Sequence, residues 1–237
     1  MNEKMKGIVT VFVDIDDTLW WFTENSKLAL RHTFDAFDIS SVCTYERFKE
    51  VYLKKNLELW NLYHHGLIDK DFLVNERFRF TLKECGYKGD VEKMCHLLDE
   101  EYLRFLALQP TTIPGARQLL EYLVAKGYDV NTLSNGFQGT QQQKLISGGL
   151  SDLIHRNVLS DDCGITKPQR GIFDYALEQC GAEAATSVMI GDNPDADIKG
   201  AHDAGWRTIY FNIRGLDPIE DTADAVVTSL DEILQIL

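Results

Sequence analysis

The chain has 237 residues, with 24 Lys and Arg against 37 Asp and Glu, a formal charge of −13. Hydrophobic residues make up 44% and charged residues 26%, an ordinary globular balance that excludes a disordered chain, a collagen or a coiled coil. A surface this acidic repels phosphate backbones and anionic lipid, so neither a nucleic-acid polymer nor a membrane is an expected partner, while a small anionic substrate needs only one locally positive site.

The first apolar run, Ile8 to Val13, is β-branched and aromatic and ends at Asp14. It is short, so it reads as a buried strand and not as a signal peptide, and nothing in the chain approaches the ~20 apolar residues of a membrane span. Five cysteines (Cys43, Cys85, Cys95, Cys163, Cys180) contain no C-x-x-C pair. They read as reduced thiols packed as small hydrophobes, and the expected compartment is the cytoplasm.

From about Glu24 to about Leu108 the apolar residues recur at helical spacing, as in Phe34 and Phe37, Phe48, Val51 and Tyr52, then Leu57, Trp60 and Tyr63. Strand and helix alternate after Pro110. A helix from Pro114-Gly115 to Lys126 is predicted first, then a strand over Tyr128–Leu133, a helix over Gln138–Ser147 and a strand near Leu153–Leu159. There follow a helix over Gln169–Cys180, a strand over Ser187–Ile190, a helix over Asp195–Ala204, strands over Arg207–Phe211 and Ala225–Val227, and a C-terminal helix. This alternation predicts an α/β fold with a parallel sheet covered on both faces, and the helical block is an insertion after the first strand.

Ligands of open α/β sheets bind beyond the carboxyl ends of the strands, so the residues delivered there carry the function. The first strand delivers Asp14, Asp16, Asp17 and Thr18; the second delivers Ser134-Asn135-Gly136; the fourth delivers Asp192, with Asp197 five residues on. Asp14 and Asp16 share one face of an extended strand. Crowded carboxylates at the end of an apolar strand call for a cation, and an all-oxygen set suits Mg²⁺, with Asp192 completing the site. A hydroxyl (Ser134), a turn with free N–H groups (Asn135) and one lysine (Lys167, in Thr166-Lys167-Pro168) suit a phosphoryl group, and Thr18 is a further phosphate-binding candidate. Asp197 either caps its helix or orients Lys167 or the metal.

The ordered set DIDDTL, LSNG, KP and GDNPDAD, spanning Asp14 to Asp197, resembles the haloacid dehalogenase-like hydrolase superfamily. The resemblance implies a Rossmann-like, doubly wound core over residues 1–19 and 110–237, with an all-helical cap over 20–109. It also implies roles: Asp14 as the nucleophile that becomes an aspartyl-phosphate, and Asp16 as general acid/base, ligating Mg²⁺ through its carbonyl. Ser134 and Lys167 would bind phosphate, and Asp192 would be the second carboxylate ligand of the metal. True dehalogenases lack the second aspartate, so Asp16 favours phosphoryl transfer. Asp17 stands where many relatives carry Gly.

Leu59-Trp60, Tyr63, Gly66 and Ile68, with Ser-Asn-Gly-Phe running into Gln141, Gln142, Lys144 and Leu145, resemble the pyrimidine 5′-nucleotidase branch. The expected activity is a Mg²⁺-dependent phosphatase acting on a small phosphorylated metabolite, a nucleoside 5′-monophosphate first. The alternatives are a sugar phosphomutase of the β-phosphoglucomutase kind and a broad-range sugar-phosphate phosphatase. A non-catalytic module would have lost a motif residue, and none is lost. For a nucleobase pocket, Asn56 and Trp60 lie one helical turn apart, Arg77 lies on the next helix, and Trp20 and Trp21 follow the first strand.

Overall fold

The computed structural model describes residues 5–237. It divides into two compact units, Met1–Phe22 with Pro110–Leu237, and Thr23–Gln109.

The first unit is built on six parallel strands: β1 (Thr10–Val13), β2 (Asp129–Ser134), β3 (Arg156–Leu159), β4 (Ser187–Gly191), β5 (Arg207–Phe211) and β6 (Ala225–Val227), in the order β3-β2-β1-β4-β5-β6. Every residue of β1 and β4 is buried, as a sheet covered on both faces requires. β1 is central, and the strand order reverses there: β2 and β3 run out on one side, β4 to β6 on the other. Val13 pairs with Thr132 and Ile190, so the carboxyl ends of β1, β2 and β4 open at one level. That level is the switch point where such sheets bind ligands. On one face Phe12, Leu133, Val158 and Met189 pack with Ile172, Phe173, Ala201 and Trp206.

The second unit is helical, and most of α1 (Phe22–Ala36) belongs to it, with α2 (Tyr45–His64), α3 (Lys70–Glu84) and α4 (Val91–Ala107). Three of these begin at side-chain caps: Thr44, Asp69 and Asp90 accept from the backbone N–H groups of Arg47, Phe72 and Lys93. Phe48, Tyr52, Phe78 and Tyr102 pack together through their centre, with Tyr52 and Phe78 4.7 Å apart at the ring centroids. Among the described residues no helix is long and apolar enough to cross a membrane.

In the first unit the chain continues through α5 (Ala116–Ala125), α6 (Gln138–Ser147), α7 (Ser160–Cys163), α8 (Arg170–Cys180) and α9 (Gly200–Asp203). Two segments differ from the sequence expectation. The helix expected over Asp195–Ala204 is a π-helical turn, Pro194–Lys199, followed by the short α9. The C-terminal helix is a 3₁₀-helix, Leu230–Gln235, entered through the Ser229 and Glu232 capping box.

Candidate active site

Asp14, Asp192 and Asp197 are all buried, and each offers a carboxylate oxygen within 4.8 Å of the others. Asp14 and Asp192 arrive from the ends of β1 and β4. Asp197 is turned back toward β4 by the π-helical turn, whose entry is capped by Asn193 Oδ1 accepting from Asp195 and Ala196 at 3.0 and 2.9 Å. Gly191 leaves room for this return, because a Cβ there would overlap the Asp197 carboxylate. Three buried carboxylates with only oxygen donors fit a hard divalent cation of the Mg²⁺ kind.

Lys167 ties this cluster together. Its ammonium donates to Asp14 Oδ1 at 2.7 Å, Asp197 Oδ1 at 2.6 Å and the Leu133 carbonyl at 2.7 Å, which commits all three donors. Burial opposes the Lys167 charge, but Asp14 and Asp197 together hold its pKa above the ordinary value. Asp14 feels the shortage of positive charge. Burial, offset by Lys167 and reinforced by Asp197 and Asp16, pushes its carboxyl up to about 7. Asp192 is raised as well, by burial first.

Asn135 grips Lys167 from the backbone side, donating to its carbonyl at 2.9 Å and accepting from its N–H at 2.7 Å. The Asn135 side chain thus fixes the lysine loop. Thr18 is buried and donates to Asp192 Oδ1 at 3.4 Å, so its hydroxyl faces a carboxylate.

Asp16 lies apart from the three buried carboxylates. Lys144 Nζ holds its two oxygens at 2.7 and 2.9 Å, and Gln141 Nε2 donates to Oδ2 at 3.1 Å. Asp14 and Asp16 therefore have one lysine each. Ser134 Oγ accepts from Gln141 Nε2 at 2.6 Å and from the Gly136 N–H at 3.2 Å, which leaves its proton to be donated.

Arg214, in the loop after β5, joins these carboxylates without a sequence motif to mark it. Its Nε lies 2.6 Å from Asp192 Oδ2, and its Nη2 lies 3.2 Å from Asp17 Oδ2. Asp17 has φ 59°, a left-handed conformation that glycine adopts at no cost and aspartate tolerates.

The nucleobase candidates fare differently. Arg77 is a correction: it is buried in the helical unit, with Nε 2.6 Å and Nη2 2.5 Å from Asp99 Oδ1, and is not presented to a ligand. Trp20 is also corrected: it is fully buried, with the Lys144 ammonium 4.8 Å from its ring centroid, and belongs to the packed core. Trp21 is half-buried. Asn56 and Trp60 lie on α2 as expected and are half-buried.

Residues 8–205 match the family of haloacid dehalogenase-like hydrolases. The chain belongs to that family. It is 34% identical to the HAD-hydrolase YfnB of Bacillus subtilis over 209 residues, 88% of this chain and 86% of that protein. It is 33% identical to the pyrimidine 5′-nucleotidase YjjG of Escherichia coli, covering 96% of each. A glyceraldehyde 3-phosphate phosphatase of Pyrococcus furiosus is 28% identical, over 98% of this chain and 94% of that protein. A crystal structure of YfnB bound to magnesium superposes with a TM-score of 0.86 at 31% identity, covering 98% of this chain and 99% of that one. The family and its phosphatase relatives make this chain a phosphoric monoester hydrolase, with small phosphorylated metabolites as its substrate class. The helical insertion after β1 is the cap of the fold.

Proposed function

We propose that this chain is a Mg²⁺-dependent phosphatase that passes through an aspartyl-phosphate on Asp14 and prefers nucleoside 5′-monophosphates. The observation that carries the chemistry is the pair of carboxylates at the end of β1, each bound by its own lysine, Asp14 by Lys167 and Asp16 by Lys144. Lys167 takes Asp14 Oδ1, so Oδ2 is the oxygen that attacks phosphorus. The ester P–O bond breaks as the Asp14–phosphorus bond forms, and Asp16 gives its proton to the departing alkoxide. Asp16 then takes a proton from water, whose oxygen attacks phosphorus and frees Asp14 with release of phosphate. Ser134 donates its free proton to a phosphoryl oxygen. Asp14 and Asp192, with Asp197 beside them, would hold Mg²⁺, which supplies charge stabilisation to the transferring oxygens.

Likeness to a pyrimidine 5′-nucleotidase along the whole length supports the nucleotide preference. Likeness to a glyceraldehyde 3-phosphate phosphatase keeps a sugar-phosphate substrate as the second reading. Phosphate release from a panel of nucleoside monophosphates, sugar phosphates and 4-nitrophenyl phosphate with Mg²⁺ decides between them. In the same assay Asp14→Asn, which keeps the shape but removes the attacking charge, is expected to lose turnover about a thousandfold or more. Substantial activity in a folded Asp14→Asn protein rules out the covalent route.

A further inference from the structure

Helix α6 carries two buried polar side chains that the steps above do not use. Lys144 is 3% exposed. A buried ammonium is costly unless it is paired, and its carboxylate partner is Asp16. Two aromatic rings flank it: Nζ lies 4.8 Å from the Trp20 ring centroid and 5.3 Å from that of Phe22. Gln141 lies three residues earlier, on the same helix face, and is fully buried. Its amide donates to both Asp16 and Ser134, and Gly136 makes the space, since a Cβ there would overlap the Gln141 carboxamide. Ser134 Oγ then has both acceptor positions filled, by Gln141 and by the Gly136 N–H.

We propose that Gln141 and Lys144 form a positioning clamp that sets the Asp16 carboxyl against the leaving group and turns the Ser134 proton toward the phosphoryl group. The clamp rests on the phosphatase reading. Neither residue touches the reacting atoms. Lys144 holds both Asp16 oxygens and so fixes the plane of the carboxyl group. Gln141 ties Asp16 to Ser134, so the proton donor for the leaving group and the hydrogen-bond donor for the phosphoryl oxygen are held in register.

The dependence of kcat/KM on the leaving group tests this. That constant covers every step up to departure of the alcohol. 4-Nitrophenolate leaves without a proton, whereas an alkoxide needs one from Asp16. Across 4-nitrophenyl, phenyl and alkyl phosphates, Lys144→Met is expected to steepen the fall of log kcat/KM with leaving-group pKa. The loss for the alkyl ester should exceed that for the 4-nitrophenyl ester about tenfold or more. Gln141→Leu is expected to steepen it in the same direction. It should also weaken inhibition by inorganic phosphate about threefold or more, because Ser134 loses its orienting partner.

A purely structural role for α6 predicts parallel losses on all esters in step with a lowered melting temperature. Unchanged slopes in both variants overturn the clamp, and Gln141→Leu decides alone if Lys144→Met does not fold. Failure of the phosphatase reading looks different: wild-type protein then releases phosphate from none of the esters, and the clamp falls with it.

Discussion

Asp14 is under two opposed demands, since its carboxylate must be charged to attack and to hold metal, yet burial pushes its pKa up to about 7. The sign follows from linkage. The metal-free folded chain keeps a proton on Asp14 that the unfolded chain gives up near 4, so this group makes metal-free stability fall as pH rises from about 4 to about 7. A bound divalent cation needs the charged form, so Mg²⁺ binding is expected to release protons at about pH 6 and fewer at about pH 8. Calorimetry in buffers of different ionisation enthalpy counts them, and equal counts at the two pH values would show that Asp14 does not carry this proton. Arg214 is the second residue that Mg²⁺ must contend with. Its Nε lies 2.6 Å from Asp192 Oδ2, and Asp192 raises the guanidinium pKa against the cost of burial. Arg214→Gln should therefore tighten Mg²⁺ binding to the metal-free protein about threefold to tenfold, and lower its melting temperature. Weaker binding in that variant would make Arg214 a support of the metal site and not a competitor.

At the scale of elements, the Arg77–Asp99 pair links α3 to α4 inside an aromatic cluster, with Arg77 5.4 Å from the Tyr102 ring centroid. Removing one partner leaves a buried charge alone. Arg77→Met is thus expected to destabilise the helical unit by about 3–5 kcal/mol in urea unfolding, and the double change with Asp99→Leu should recover part of it. A loss of nucleotide binding with full stability would instead return Arg77 to the substrate. The same pair shows where sequence reading stops: one arginine on a helix looks alike whether it faces solvent, ligand or a carboxylate 22 residues away. The strand ends were legible because each apolar run stops at a polar group, as at Val13-Asp14, Leu133-Ser134 and Gly191-Asp192. The π-helical turn was not, because Asn193-Pro194 signals a helix start without stating its hydrogen-bond step. Gln141 and Lys144 stood in the motif that suggested a nucleotidase, but their partners, 125 and 128 residues away, follow only from the packing of α6. Arg214 had no local signal at all.

Across the whole molecule, every group assigned to the phosphoryl chemistry, from Asp14 to Asp197, lies in the unit formed by Met1–Phe22 and Pro110–Leu237. In the proposed chemistry this unit carries the phosphoryl transfer, and the nucleobase reading turns on residues of the helical unit. With Arg77 bound to Asp99, the remaining candidates there are Asn56 and Trp60. Asn56 Oδ1 is buried with no hydrogen-bond partner among the described residues. Trp60 stands edge-on to Tyr63, 5.7 Å away at the centroids, and is half-buried. A pyrimidine ring offers a π-face and polar edge groups that match such a pair. Asn56→Ala and Trp60→Ala are therefore expected to raise KM for a pyrimidine 5′-monophosphate about tenfold, roughly 1.4 kcal/mol, while KM for 4-nitrophenyl phosphate moves about twofold at most. The small ester carries no base, so it serves as the internal control for folding. Equal losses on both substrates would make Asn56 and Trp60 part of the packing of α2. A wild-type protein that hydrolyses sugar phosphates better than any nucleotide would retire the nucleotide preference and leave the phosphatase chemistry of the core standing.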